Sequence, residues 1–584
     1  MSVKKQILVI YPDEISACIA QFPWLASDAD WLCLTIDAFN ECLQLGIPNA
    51  RMPNWLRAVS MFSVVEQKEH YFRLQELEEV LMRQRHSMGF KSAAYWNHQH
   101  NSFMLNVLSS VKKTAELAAK HLLKTDQLLI PHRAGVGDYH FSGGLSSAIV
   151  AQVLRESGFN VKLVDLPISL LSSQYHPAVY DVVPDFWSIQ TSGAWLASTA
   201  NTLICPSGLF YKQDQQKLVQ LLEQLGCDSL SWMISPAFWN VFSDGPGFKS
   251  RIPVGEAWER MSDGTKITLT NMADRMTMET EAVFIELLGP KIGGLDCFSS
   301  QIQRLQKRHL YQCMIFLGAC HLGGLKPMDA LIVGHLDGGT NGPLLSAAIE
   351  TEAPCYMVPH SRVINLPTED TCTVVTEYWQ PKPSRSHRGE INPVIYCAPR
   401  DGMPSGRDPL ETLRGIKVLI LFNGIHRWTS TNVSFDFLAE AVLKIRETCK
   451  ELGVDPAYRL KPGDQTPIGA YRHLLDLGIE DYGKCLDGDL DKILSDTELV
   501  ISVDTPSTAI WGALERGCAV LLIANRPFVD SELLDAEGNL VAYSLEQGIE
   551  LLRELLTDPA KLDDLRGSQF GWISSLRANR LSPQ

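Results

Sequence analysis

Residues 498–523, ELVISVDTPSTAIWGALERGCAVLLI, decide the fold. The apolar run that ends at Val503 is typical of a buried parallel strand, and the segment that follows has helical spacing and leads into a second apolar run. This order of strand, loop, helix and strand is the unit of a parallel α/β sheet. The loop that opens the helix, residues 504–508, provides four predicted ligand-binding residues: Asp504, Pro506, Ser507 and Thr508.

This loop has the features of an anion-binding site. The first amides of a helix have no partner within the helix, and the helix dipole places partial positive charge on them. The hydroxyl groups of Ser507 and Thr508 add hydrogen-bond donors. We therefore predict a site for phosphate or a sugar carboxylate, outside the carboxyl ends of the strands. The alternative is an ordinary helix cap that binds no ligand.

Two other loops in the same half also follow predicted strands. The strand that begins IKVLIL ends at Asn423-Gly424, where glycine permits a close approach of the backbone to a ligand. The strand AYRL ends at Lys461-Pro462, where a cation neutralises phosphate charge. These four residues complete the predicted donor-binding set, and each has the alternative of an ordinary surface turn.

Short apolar runs alternate with helical segments of ten or more residues along most of the chain, which predicts the α/β class. We predict two Rossmann-like halves, residues 1–380 and 413–584. The segment 381–412 is rich in Pro, Gly, Ser and Arg and is predicted as a linker, although PVIYCA within it has the composition of a strand. Residues 55–125 have long helical periodicity and are predicted as a helical insertion.

Two loops of the N-terminal half contain candidate catalytic residues. Asp138 lies in a glycine-rich loop, residues 135–144, that follows a strand and precedes a helix. His335 and Asp337 lie in a second loop that also follows a strand. A carboxylate or imidazole there is a candidate general base, and capping or turn formation is the alternative role. The first loop is also similar to the dinucleotide fingerprint, with Asp165 as the acidic residue at the end of the next strand.

Composition limits the classes of partner. The formal net charge of −15 argues against nucleic acid as the main partner. The 14 cysteines have no zinc-binding spacing, which favours reduced thiols in a cytoplasmic protein. We expect no signal peptide and no transmembrane segment, and peripheral contact with a membrane stays open.

The pattern of these loops resembles the GT-B class of glycosyltransferases, in particular bacterial sialyltransferase-like and Kdo-transferase-like enzymes of capsule and lipopolysaccharide assembly. Ser507-Thr508 is similar to a Ser-Thr motif that opens a helix near the donor phosphate. Lys461-Pro462 takes the place of a His-Pro pair. Asp337-Gly338 is similar to an acidic-acidic-Gly motif in which Leu336 replaces the first acid.

The resemblance implies a two-domain fold with a cleft, an acceptor site in the N-terminal half and a nucleotide-sugar donor in the C-terminal half. It implies metal-independent inverting transfer to a glycan or protein acceptor, without a bound cofactor, and favours a CMP-linked acidic sugar as donor. A sugar-nucleotide epimerase, an NAD(P)-dependent oxidoreductase and a non-catalytic two-domain binding protein are the alternatives, because one fold supports many functions.

Overall fold

The protein has an α/β fold built on parallel sheets, as the sequence predicts. The computed structural model describes residues 5–57, 111–124, 127–132, 145–171, 203–205, 212–226, 230–232, 248–251, 330–333, 352–358, 372–376, 393–397, 414–421, 435–459, 488–503, 508–524 and 540–578, with a few isolated positions. Its described strands form three sheets of five, seven and five strands. Neighbouring strands are parallel in every pair of these sheets.

The first sheet has the order β3-β2-β1-β4-β5. Its strands are β1 (Lys5–Val9), β2 (Asp30–Cys33), β3 (Ala50–Arg51), β4 (Gln127–His132) and β5 (Asn160–Asp165). The described helices of this part are α1 (Pro12–Gln21), α2 (Leu25–Asp28), α3 (Ile36–Gln44), α4 (Asn54–Arg57), α5 (residues 111–121) and α6 (Leu145–Glu156). Gly158, with φ +85°, follows α6 and has the left-handed conformation expected after a helix end.

Helices cover both faces of this sheet because side chains alternate along each strand. Ile7 and Val9 of β1 belong to an apolar cluster that includes buried residues of α1 and α3. Leu8 and Ile10 belong to a second cluster, which includes buried residues of α5 and α6. The first of these clusters is continuous with buried residues of the third sheet, so the first and third sheets share one apolar core.

The second sheet has the order β12-β11-β10-β9-β6-β7-β8. Its strands are β6 (Leu203–Cys205), β7 (Leu230–Trp232), β8 (Phe248–Arg251), β9 (Leu331–Val333), β10 (Cys355–Met357), β11 (Cys372–Thr376) and β12 (Val394–Tyr396). Helix α7 (Lys212–Leu225) packs on it through Leu218 and Leu221, which lie in one cluster with Ile332 of β9.

The third sheet has the order β14-β13-β15-β16-β17. Its strands are β13 (Ile416–Leu421), β14 (Ala457–Arg459), β15 (Thr497–Val503), β16 (Ala519–Ile523) and β17 (Val541–Ala542). Its described helices are α8 (Phe435–Glu451), α9 (Leu490–Ser495), α10 (Thr508–Glu515), α11 (Leu545–Thr557) and α12 (Pro559–Ala578). The stretch 498–523 thus supplies two neighbouring strands and the helix between them, as predicted.

Two side-chain features fix the last helices to this sheet. Gln569 of α12 is fully buried and pairs with both backbone groups of Val520: its amide donates to the carbonyl at 2.8 Å, and its Oε1 accepts from the N–H at 2.8 Å. Gly548 of α11 lies against Ile523, where a Cβ atom would come within 2.8 Å of that side chain. Only glycine allows α11 to approach β16 this closely.

The strands of the three sheets come from both predicted halves and from the predicted linker. The predicted half 1–380 holds the whole first sheet and six strands of the second. Val394–Tyr396 forms the edge strand β12, so the predicted linker 381–412 includes part of the second sheet. The strand potential of PVIYCA is confirmed, and the exact domain boundaries stay predictions. Residues 111–121 are helical, but most of the proposed insertion lies outside the described residues.

Candidate functional site

The third sheet contains a switch point, the place where the connections after two neighbouring strands leave on opposite faces. Helix α8 follows β13 and packs on one face, whereas α10 follows β15 and packs on the other. The two strands are direct neighbours, and Leu421 of β13 is opposite Ser502 of β15. Open α/β sheets bind ligands in the crevice that forms at the carboxyl end of such a strand pair.

Helix α10 begins at this switch point. Its first residue is Thr508, five positions after the end of β15 at Val503, so the predicted change from strand through loop to helix is confirmed. No acidic side chain lies in its first turn. Asp504, Pro506 and Ser507 lie outside the described residues, and their roles stay predictions.

Ser502 adds a feature to this edge that the sequence analysis missed. Its neighbours in register are Leu421 and Leu522, which both belong to the cluster that packs against α10. The Ser502 side chain therefore points to the face that α10 covers, in the last full row before the edge. It is fully buried, and its Oγ has no hydrogen-bond partner in the described part of the chain.

An unpartnered buried hydroxyl is unfavourable, by about 1–3 kcal/mol in protein mutational data. Native proteins leave few such groups, and those that exist are often found where a ligand or water completes them. The only sequence signal was a single serine within the apolar run LVISV. That signal is weak by itself, because small hydroxyl residues also occur in ordinary strands.

The other predicted donor residues follow strands that end at the same edge. Asn423 and Gly424 come after β13, and Lys461 and Pro462 come after β14, but all four lie outside the described residues. The last residue of β14 is Arg459, whose guanidinium donates to the carbonyl oxygens of residues 486 and 488 at 2.7 and 2.8 Å. Arg459 therefore holds a neighbouring segment against the end of β14.

The first sheet has its own switch point, between β1 and β4. Helix α1 follows β1 onto one face, and α6 follows β4 onto the other. His132 is the last residue of β4, and its Nδ1 lies 2.9 Å from Oγ of Ser147 on α6. Burial lowers the pKa of His132 below its usual 6.5, and the nearby Asp165 carboxylate opposes this shift. The imidazole is therefore neutral near pH 7.

Asp165 lies where the sequence analysis expects it. It is the last residue of β5 and the strand partner of His132, so the glycine-rich loop 135–144 belongs to a connection from β4 through α6 to β5. The candidate base Asp138 lies in this loop, outside the described residues. Sequence reasoning missed His132, whose position at a strand end, just before a glycine-rich loop, was the available signal.

Three backbone N–H groups near the starts of α1 and α3 are already used by side chains. Oε2 of Glu14 accepts hydrogen bonds from the N–H groups of Ile10 and Tyr11 at 3.1 and 3.0 Å. Oγ1 of Thr35 accepts from the N–H of Ala38 at 3.3 Å and so caps α3. The starts of α1 and α3 therefore do not offer these amides to an anion.

The switch point of the second sheet lies between β6 and β9, where the strand order reverses. The candidate catalytic residues His335 and Asp337 follow β9, which ends at Val333. Both lie outside the described residues. Their assignment as candidate bases stays a prediction.

Comparisons with known proteins give only distant similarities. No protein-family model matches the chain, and no curated protein sequence matches it. Among solved structures, a glycosyltransferase from Rickettsia africae is 10% identical, with 66% of this chain and 97% of the other covered and a TM-score of 0.35. A putative UDP-N-acetylglucosamine 2-epimerase from Listeria monocytogenes is 13% identical, with coverages of 66% and 95% and a TM-score of 0.33.

An O-GlcNAc transferase from Thermobaculum terrenum is 14% identical, with 86% of this chain and 94% of the other covered and a TM-score of 0.31. Because these TM-scores are low, we infer nothing about activity from the similarities. In the described part of the chain, no helix is both long enough and apolar enough to cross a membrane.

Proposed function

We propose that this protein is a glycosyltransferase, which moves a sugar from a nucleotide-activated donor to a hydroxyl group of a glycan or protein acceptor. The observation that supports this proposal most strongly is Ser502 at the switch point of the third sheet. Its hydroxyl is fully buried and has no hydrogen-bond partner among the described residues. A phosphate at this edge would give that hydroxyl a partner. The nearby start of α10 would supply amide donors and the positive end of a helix dipole.

This arrangement suits a reaction in which a nucleotide phosphate leaves. Negative charge builds on the phosphate as the bond to the sugar breaks, and donors already in place stabilise it without reorganisation. Ser507 and Thr508 are the predicted additional donors, and Lys461 is the predicted cation. A general base must take the proton of the acceptor hydroxyl, and Asp337 is our first candidate, followed by His335 and Asp138.

The finer parts of the proposal come from the family resemblance. We propose inverting transfer without a metal ion and without a bound cofactor. We propose a CMP-linked acidic sugar as the donor, with Ser507-Thr508 at its phosphate. A cytoplasmic location fits eight buried cysteines in the described part of the chain, which are free thiols.

A panel of nucleotides tests the donor site. We expect one of CMP, UDP or GDP to raise the melting temperature of the full chain, because a ligand that binds the native state stabilises it by mass action. The double variant Ser507→Ala, Thr508→Ala should bind that nucleotide with lower affinity in calorimetry while the fold is retained. No binding by any of the three nucleotides, or unchanged affinity in the double variant, contradicts the proposal.

An NAD(P)-dependent oxidoreductase is the second candidate, and one observation favours it. The connection from β4 through the loop 135–144 and α6 leads to β5, whose last residue is Asp165, as the dinucleotide fingerprint requires. A thermal shift with NAD, and none with the other nucleotides, would favour this candidate over sugar transfer.

A further inference from the structure

We propose that the carboxyl edge of the first sheet is a second ligand site, in which His132 and Asp165 bind the hydroxyl groups of a sugar ring. Two sources share this chemistry: a free saccharide, such as the acceptor of the proposed reaction, and the ribose of a nucleotide. The first source rests on the proposed function. The site itself rests on the geometry of described residues alone.

His132 and Asp165 lie side by side at the ligand-binding edge of the first sheet. His132 and Asp165 are strand partners at the ends of β4 and β5, and β4 borders the switch point with β1. Both side chains therefore lie at the edge where a sheet of this kind binds its ligand. Asp165 is exposed and His132 is partly buried, which suits contact with a ligand in a crevice.

The imidazole of His132 is held by one hydrogen bond at Nδ1. Ser147 is buried on α6 and holds Nδ1 of His132 at 2.9 Å, which fixes the orientation of the ring. Nε2 has no hydrogen-bond partner among the described residues. When Nδ1 carries the proton and donates it to Ser147, Nε2 presents a lone pair that accepts a hydrogen bond from a hydroxyl.

Charge selects the class of ligand. A neutral imidazole does not attract an anion, and the carboxylates of Asp165 and Glu14 at this edge disfavour one. Glu14 accepts from the N–H groups of Ile10 and Tyr11 just before α1, and Thr35 accepts from that of Ala38 in the first turn of α3. Hydroxyl groups, which donate to both a carboxylate and an imidazole lone pair, fit this environment better than a phosphate does.

The third sheet provides the contrast. Its edge has an unpartnered hydroxyl at Ser502, whereas the edge of the first sheet has the carboxylates of Asp165 and Glu14. The two edges therefore differ in the charge they accept. One chain would present a phosphate site and a hydroxyl site on separate sheets.

Nitrogen NMR of the histidine-labelled full chain tests this inference. We expect His132 to show a protonated Nδ1 and an unprotonated Nε2 at pH 7.5, with the resonances identified by their loss in His132→Gln. D-glucose, N-acetyl-D-glucosamine and D-galactose are the saccharide probes, NAD is the ribose probe, and inorganic phosphate is the anion probe. A shift of Nε2 with a saccharide or with NAD supports the site and identifies the source.

The variants add a measured loss of affinity. Each of the variants His132→Gln and Asp165→Asn removes one hydrogen bond. Each should lower the affinity for the probe that shifts Nε2 by roughly threefold to tenfold. The matched control is His121→Gln, since His121 is exposed and its ring stacks on Trp55 with centroids 5.6 Å apart. If His132→Gln does not fold, the exposed Asp165→Asn still provides the measurement, and Ser147→Ala identifies the resonance by its altered tautomer.

Three results overturn the inference: a protonated Nε2, a shift with phosphate equal to that with the sugars, or no shift with any saccharide or NAD. Nucleotide binding at the third sheet is measured on the same samples. One outcome is that the sugars fail to shift Nε2 of His132 in the unaltered chain, while a nucleotide binds His132→Gln and the unaltered chain with equal affinity. In that case only this inference falls. If no nucleotide binds and a saccharide shifts Nε2, only the proposed transfer reaction falls.

Discussion

Replacing Ser502 with alanine should affect stability and binding in opposite directions. The Ser502 hydroxyl is fully buried between Leu421 and Leu522 and has no partner in the described part of the chain. Leaving such a group unpaired is unfavourable by about 1–3 kcal/mol, and removing one oxygen leaves only a small cavity. We therefore expect Ser502→Ala to raise the free energy of unfolding of the unliganded protein by about 1 kcal/mol.

The same change should lower the affinity of the protein for the nucleotide. A hydrogen bond between a hydroxyl and a charged phosphate contributes about 1.5 kcal/mol or more, which corresponds to about a tenfold change in affinity. Urea denaturation measures the free energy of unfolding, and calorimetry measures the affinity of whichever nucleotide stabilises the unaltered chain. A gain in stability together with a loss of binding is typical of residues kept for function.

Ser575→Ala is the matched control for this prediction. Ser575 lies on α12 of the same part of the chain, and its hydroxyl donates to the carbonyl of Trp572 at 2.7 Å. Its removal should give no gain in stability and no change in nucleotide affinity. A loss of stability in Ser502→Ala would show that the hydroxyl has a structural partner, and unchanged affinity would show that it does not touch the phosphate.

The remaining predictions concern packing and pH. Gly548→Ala should lower the free energy of unfolding by about 1–2 kcal/mol, since overpacking against Ile523 exceeds the gain in helix propensity; a less than additive effect with Ile523→Ala would confirm the contact, and full additivity would refute it. Gly571→Ala, exposed on α12 with no atom within 4 Å of the new Cβ, should instead stabilise the protein by about 0.5–1 kcal/mol in the same denaturation assay. Gln569→Met should cost about 2–4 kcal/mol, because it leaves a buried N–H and a buried carbonyl of β16 without partners; a loss below about 1 kcal/mol would contradict this reasoning. The folded-state pKa of His132 is lowered, so the unfolded chain binds the proton more readily, and stability should fall as pH decreases through 6.5; this acid loss should be smaller in His132→Gln, and an unchanged pH profile would refute the assignment.

The local pattern of the sequence was sufficient for the α/β class and for most strands and helices. The run LVISV reads as a buried strand because a strand covered on both faces has apolar side chains on both. The helix that begins at Thr508 and the strand that ends at Leu421 are equally clear. The sequence also placed the candidate loops after strands, and in a parallel sheet every such loop leaves from the same edge.

Only the tertiary structure decided which strands are neighbours. The described strands of the second sheet are mostly three residues long and come from segments that are far apart in the chain, so their local pattern does not identify their partners. The division into three sheets, and with it the switch points, depends on that pairing. Segment 248–251 forms strand β8 because it pairs with β7.

The chemistry of single side chains depends on the same long-range pairing. In the sequence, Ser502 is only a polar residue within an apolar run. The structure shows that its strand neighbours are Leu421 and Leu522 and that its hydroxyl has no hydrogen-bond partner in the described part of the chain. His132 becomes a candidate ligand-binding group because Ser147 and Asp165 approach it from another helix and another strand. Local sequence determined the elements, and their packing determined which polar groups meet, because a hydrogen bond depends on distance in space rather than separation along the chain.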